Sequence, residues 1–153
     1  MNTQPVSKKE KPYPRDSSTP ENTQLLADEY RKAAQSLLPT LKKQTPLTSA
    51  PFRLVAIQAI ELYINAYLLK NGCSPAEVRG LQHDFSQKAH LAKEKALLLR
   101  KKTHEHIVSL NETREYLTSR YAPDMSVKVS EINRLSATLE ELSRKLSETQ
   151  KNK

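Results

Sequence analysis

Glu61 lies in the middle of an otherwise apolar run, Leu54–Leu69, in which only Gln58, Glu61 and Asn65 are strongly polar. Spacings of three and then four put these side chains in one narrow stripe of a helix. A carboxyl in such surroundings either titrates high and serves as a base, or is held by a basic partner such as Arg79 or Arg120, and the structural ion pair is the commoner case. His83-Asp84 sets an imidazole beside a carboxylate, a combination that can meet a ligand or stitch a helix start. Between Asp84 and His106, six Lys/Arg face three acids, with Arg100-Lys101-Lys102 as the densest cluster. That cluster could meet phosphate, although a solvated helix face is the commoner role of such a run. No aromatic residue interleaves the basic ones, so a stacking platform for single strands is not indicated there.

Other chemistry finds less support. His104 and His106 are two apart, so they leave a helix on different faces and cannot clamp one zinc together. His83, Asp84 and His90 do not complete a ligand set, and no metal or other cofactor is expected. Cys73 precedes the helix start Ser74-Pro75, but a small apolar filler is a commoner role than a thiolate nucleophile. One cysteine also excludes an internal disulfide and a multi-cysteine zinc site. With only Gly72 and Gly80 there is no glycine-rich phosphate loop.

The elements that must position these residues read as helices. Residues 1–22, with Pro5, Pro12, Pro14 and Pro20 and little apolar content beyond Val6, read as a disordered tail. Asn22 or Thr23 then caps a helix with Leu25, Leu26, Tyr30, Ala33, Ala34, Leu37 and Leu38 at helical period, ended by Pro39. A loop leads to Pro51 and the long apolar helix, which stops at Asn71-Gly72. That helix is apolar around most of its circumference, which places it at the centre of a bundle. Ser74-Pro75-Ala76-Glu77 opens a short helix with a capping box. Gln87–Lys102 reads as helical, with no Gly or Pro before Pro123 to end it.

The final segments read as a hairpin. Ile107, Leu110, Arg114, Leu117 and Tyr121 form one stripe, and Ile132, Leu135, Leu139, Leu142 and Leu146 form the other, joined at Ala122-Pro123-Asp124. Arg114 interrupts the first stripe and marks a seam edge or a polar site. The second stripe could instead dimerise between chains. The expected domain spans residues 23–148, with 149–153 frayed.

Composition agrees with a helical protein. Among 153 residues there are two Gly, nine Pro, two Phe and no Trp; 27% are charged and the net charge is +8. No uninterrupted run of about 18 uncharged apolar residues is present, so no membrane span is expected. The first residues have no apolar core of a secretion signal, which makes the cytoplasm the expected location.

The ordered set Ala59-Ile60-Glu61-Leu62-Tyr63-Ile64-Asn65-Ala66-Tyr67-Leu68-Leu69, Asn71-Gly72, His83-Asp84-Phe85 and Arg120-Tyr121-Ala122-Pro123 resembles the HEPN superfamily (higher eukaryotes and prokaryotes nucleotide-binding) over roughly Leu25–Leu146. The resemblance implies an all-α, four- to five-helix up-and-down bundle, often a homodimer. It further implies either a metal-independent ribonuclease, frequently a toxin paired with a nucleotidyltransferase-type partner protein, or a non-catalytic binding module. Ribonuclease members use an Arg and a His separated by four to six residues, the Arg holding phosphate and the His moving protons at the 2′-hydroxyl. Arg79 to His83 is one residue too short; Arg100 to His106 fits the count, but Lys101 stands where the family carries Asn or Asp. Asn65 replaces the family's lysine in the long helix. Glu61, Asn65, His83, Asp84, Arg120 and Tyr121 are therefore the candidate ligand-binding residues, with Arg100 and His106 as the alternative catalytic pair. The leading expectation is a non-catalytic module that binds nucleotide, RNA or protein. The alternatives are the ribonuclease and a structural protein that dimerises through its C-terminal hairpin.

Overall fold

The computed structural model describes residues 17–121 and 129–151. All regular structure in this range is helical apart from one isolated bridge, Lys42 with Thr45. The α-helices are α1 (Pro20–Leu37), α2 (Ala50–Lys70), α3 (Pro75–Gly80), α4 (Phe85–Glu94), α5 (Lys101–Thr113), α6 (Glu115–Tyr121) and α7 (Ile132–Lys151). Among the described residues the all-α expectation holds, and the α-helices number seven where four or five were expected.

Two backbone breaks account for much of the difference. At the end of α4, Ala96 takes φ +71°, Leu97 N donates to Ala92 O (2.9 Å) and Ala96 N to Lys93 O (3.0 Å). This is a Schellman stop built on alanine, where sequence offers no glycine to announce it. Leu97 folds inward while Leu98 is exposed, so the expected helix over Gln87–Lys102 divides at this point. The second break is Arg114, at φ +49° between α5 and α6. By contrast, Gly72 ends α2 as its sequence announces, at φ +102°, with Cys73 N donating to Leu68 O at 3.0 Å.

The long apolar helix is wrapped as its composition requires. Phe52, Ile60, Tyr63, Ile64 and Leu68 of α2 are all at most 1% exposed, each burial contributing about 1.5–3 kcal/mol relative to exposure. α1, α4, α6 and α7 all pack against it. By length and composition Pro46–Lys70 could cross a membrane, but 72% of its most apolar window is buried inside the bundle.

α1 begins earlier than expected. Thr19 accepts from Asn22 N (3.1 Å) and Asn22 Oδ1 accepts from Thr19 N (2.7 Å), a reciprocal cap that shifts the start to Pro20. Ala27 and Ala34 are buried, with Tyr30 and Leu37 beside them, whereas Leu25 and Leu26 are exposed.

On α7, Leu135, Leu139, Leu142 and Leu146 are buried within the chain, and the helix packs on α2 and α5. The first half of the expected hairpin behaves differently. Ile107 and Leu110 are buried, but beyond the Arg114 break Leu117 and Tyr121 face outward. The turn Ala122-Pro123-Asp124 and the tail up to residue 16 lie outside the described residues.

Candidate functional site

α2 carries Glu61 into the interior, where it is 3% exposed. Its Oε1 accepts from Lys88 Nζ at 2.9 Å, and Lys88, on α4, is itself fully buried. Lys88 shares the inward face of α4 with Phe85, Ala89 and Ala92, at helical spacings of three and four. A lysine on an apolar face is the signal that could have identified this partner; Arg79 and Arg120 were the expected ones.

His83 is held by the same carboxylate, with Nδ1 3.1 Å from both Glu61 oxygens. A carboxylate only accepts, so Nδ1 carries a proton and donates it to Glu61. On its face, the ring meets Tyr116 at a centroid distance of 5.0 Å and an interplanar angle of 31°. Asp84 serves locally, its Oδ1 accepting from Gln87 N (3.0 Å) as the cap of α4.

Around this ring pair lies an open pocket of about 470 Å³ lined by Gly80, Leu81, Gln82, His83, Asp84, Gln87, Asn111, Arg114 and Tyr116. The α3–α4 turn supplies one wall and the α5–α6 break the other. The left-handed turn at Arg114 thus places the residue that interrupts the first hairpin stripe in the same pocket as His83 and Asp84, which sequence spacing alone did not join. The Arg114 guanidinium, three carboxamides (Gln82, Gln87 and Asn111) and the His83–Tyr116 ring pair suit an anionic ligand with a planar group, while the Asp84 carboxylate is occupied in capping α4.

Glu61 also lines a second cavity, between α1, α2 and α3, together with Gln58 and Asn65. The polar stripe read from sequence therefore does form one wall. Arg120 and Tyr121 lie elsewhere, in an apolar groove with Tyr30, Leu54 and Val55, and both are exposed.

Arg100 and His106 have different surroundings. Arg100 begins α5 with its side chain 80% exposed, its Nε 3.9 Å from Glu141 Oε1. Its backbone N donates to Glu141 Oε2 (2.8 Å), and Thr103 Oγ1 donates to Glu141 Oε1 (3.0 Å), so a carboxylate from α7 caps α5. Lys101 and Lys102 are exposed next to it.

His106 is buried. Its Nε2 is 2.9 Å from Ser130 Oγ and its Nδ1 is 2.7 Å from Thr138 Oγ1. Ser130 donates Oγ–H to Glu115 Oε2 at 2.6 Å and its N–H to the same oxygen at 2.9 Å. Because Ser130 spends its hydroxyl proton on the carboxylate, His106 must donate from Nε2 and accept from Thr138 at Nδ1. The ring is thereby fixed as one neutral tautomer. Burial pushes its pKa down to about 4, against the opposing pull of Glu115 and with help from Arg134. Arg53 completes the cluster, with Nη1 2.7 Å from Glu115 Oε1 and also donating to Ser130 O, and Nε 2.9 Å from Ser49 Oγ.

Among the described residues, no group of three or more His, Cys, Asp or Glu could hold a metal ion. Comparisons with family models, curated proteins and solved structures give no match.

Proposed function

We propose that this chain is a HEPN-like, non-catalytic helical module that binds a nucleotide or a stretch of RNA in the pocket between the α3–α4 turn and the α5–α6 break. The observation that carries the reading is the placement of Arg114, Asn111 and Gln87 around the His83–Tyr116 ring pair, with His83 held from behind by Glu61 and Lys88. Arg114 would meet phosphate, the ring pair would meet a base, and the carboxamides would read its edge. The ordered HEPN-like residues support the same reading. The non-catalytic part rests on Arg100 being exposed while His106 is buried with both ring nitrogens engaged. A cytoplasmic setting and a nucleotidyltransferase-type partner belong to the same proposal. Homodimerisation would use a surface other than the α7 leucines, which the chain itself covers.

Titrating a labelled single-stranded RNA, and in parallel ATP and UMP, tests the proposal. Binding is expected to weaken by roughly tenfold in Arg114→Ala, about 1.4 kcal/mol, and comparably in His83→Ala. If neither RNA nor nucleotide binds at millimolar concentration, or if both variants bind as the parent does, the site is wrong. Metal-independent RNA cleavage that is abolished by Arg100→Ala and by His106→Ala would replace the reading with the ribonuclease.

A further inference from the structure

His90 and His104 lie outside the pocket at Arg114, and only the fold brings them together. His90 sits in the second half of α4 and His104 near the start of α5, two helices that pack against each other. Their ring centroids are 5.2 Å apart at an interplanar angle of 61°. His90 is exposed and His104 half-buried, so solvent reaches the pair. No hydrogen bond from a described residue fixes either ring, whereas His83 is held by Glu61 and His106 by Thr138 and Ser130. The backbone on both sides of the pair is anchored: Tyr67 Oη donates to Lys95 O (2.6 Å) and Thr103 Oγ1 to Glu141 Oε1 (3.0 Å). Lys93 and Glu105 act on His104 with opposite signs, so the charge around the pair is mixed.

We propose that His90 and His104 form a binding site for one divalent transition-metal ion of the zinc type, with water in the remaining positions. Neutral imidazole is the commonest protein ligand for such ions. Bonds of about 2.0–2.1 Å from two ring nitrogens, at a tetrahedral angle, set the ring centroids about 5 Å apart. The observed separation of 5.2 Å meets that requirement without movement of either helix. Because neither ring is tied, each can turn about its Cβ–Cγ bond to aim a nitrogen lone pair at the ion. Two nitrogen donors do not suit Mg²⁺ or Ca²⁺, which take oxygen ligands. Two protein ligands make the site an exchangeable one, in contrast to a structural zinc site closed by four. The bound ion bridges α4 and α5, the helices that carry Gln87 and Asn111 into the pocket at Arg114.

Zinc chloride titrated into the full chain, followed by calorimetry and by the histidine ring signals in ¹⁵N-edited NMR, tests the site. Zn²⁺ is expected to bind with a Kd of roughly 100 µM or tighter and to move the ring signals of His90 and His104. Mg²⁺ at the same concentration should leave both rings unmoved. His90→Ala and His104→Ala should each weaken zinc binding at least tenfold, and circular dichroism without metal checks that both variants keep the parent's helix content. Zn²⁺ at about 1 mM should also raise the Tm of the parent by several degrees, and that of the double variant by less, because a ligand of the folded state stabilises it in proportion to its occupancy. The proposal is overturned if zinc shows no saturable binding by about 1 mM, if the His90 and His104 signals stay unmoved, if Mg²⁺ moves them as Zn²⁺ does, or if the double variant keeps the parent's affinity.

Discussion

Lowering the pH from 7 to 5 should destabilise this fold through His106 in particular. In the folded chain the imidazole is buried, accepts from Thr138 and donates to Ser130, and its pKa is pushed down to about 4. In the unfolded chain it titrates near the ordinary value of about 6.5. Protons therefore favour the unfolded state throughout the interval between the two values. The stability that depends on a neutral ring is fully present above about pH 6.5 and is lost as the pH falls toward 4. Linkage gives a loss of about 2 kcal/mol at pH 5 and about 3 kcal/mol near pH 4, set against a typical total of about 5–15 kcal/mol. Urea unfolding followed by circular dichroism at pH 7, 6 and 5 measures this directly, and His106→Gln is the matched control. The Gln side chain keeps a donor for Ser130 but takes up no proton, so the variant should lose about 2 kcal/mol less than the parent between pH 7 and pH 5. His104, whose pKa burial also lowers with help from His90 and Lys93, is common to both proteins and cancels in the comparison. Parallel stability curves for the parent and the variant would refute the burial and tautomer argument. So would a parent protein more stable at pH 5 than at pH 7.

Other perturbations test separate parts of the structure. Lys88→Met leaves Glu61 as a buried carboxylate without its ammonium partner and should cost about 3–5 kcal/mol, while Glu61→Leu combined with Lys88→Met should recover most of that loss in urea melts. Ala96→Gly should stabilise by about 1 kcal/mol, read as a raised Tm, because Ala96 holds φ +71° where glycine is unstrained. Ser74→Ala removes the cap whose hydroxyl accepts from Glu77 N at 3.1 Å and should cost about 1 kcal/mol by the same measurement.

The parts of this fold legible from sequence were those written in local chemistry. The Ser74–Glu77 capping box, the Asn71-Gly72 stop and the apolar girth of α2 each follow from a few neighbouring residues and reappear in the structure. The breaks at Ala96 and Arg114 did not show, because both residues are compatible with helix and only tertiary packing selects the left-handed backbone there. For Ala96, the packing is visible: Tyr67 Oη donates to Lys95 O (2.6 Å) and Lys95 Nζ to Asn71 O (3.0 Å), tying that turn to the end of α2. The polar stripe Gln58–Glu61–Asn65 was recognisable as a unit, and the three residues do share a wall. Their partners were not recognisable, since Lys88 arrives from 27 residues further along the chain. His106 illustrates the opposite error: an Arg–His spacing can be counted in sequence, but it does not say that one residue faces solvent and the other the core.

α2 contains three buried residues with strongly polar side chains, and the chain treats them differently. Arg53 is matched to Glu115, Ser49 and the backbone of Ser130, and Glu61 is matched to Lys88 and His83. Both are charged groups whose burial would be prohibitive without such partners. Asn65 is the neutral one, and its Oδ1 is left alone at a cost of about 1–3 kcal/mol. A leucine would avoid that cost at a position already flanked by Ile64 and Ala66. Bundle stability alone therefore gives no reason for an asparagine at this place. The same reasoning separates Asn65 from Glu61. Compensated by Lys88 and His83, Glu61 holds the His83 ring at the edge of the pocket without leaving a bare charge in the core, so the phosphate contact of the proposed site falls to Arg114.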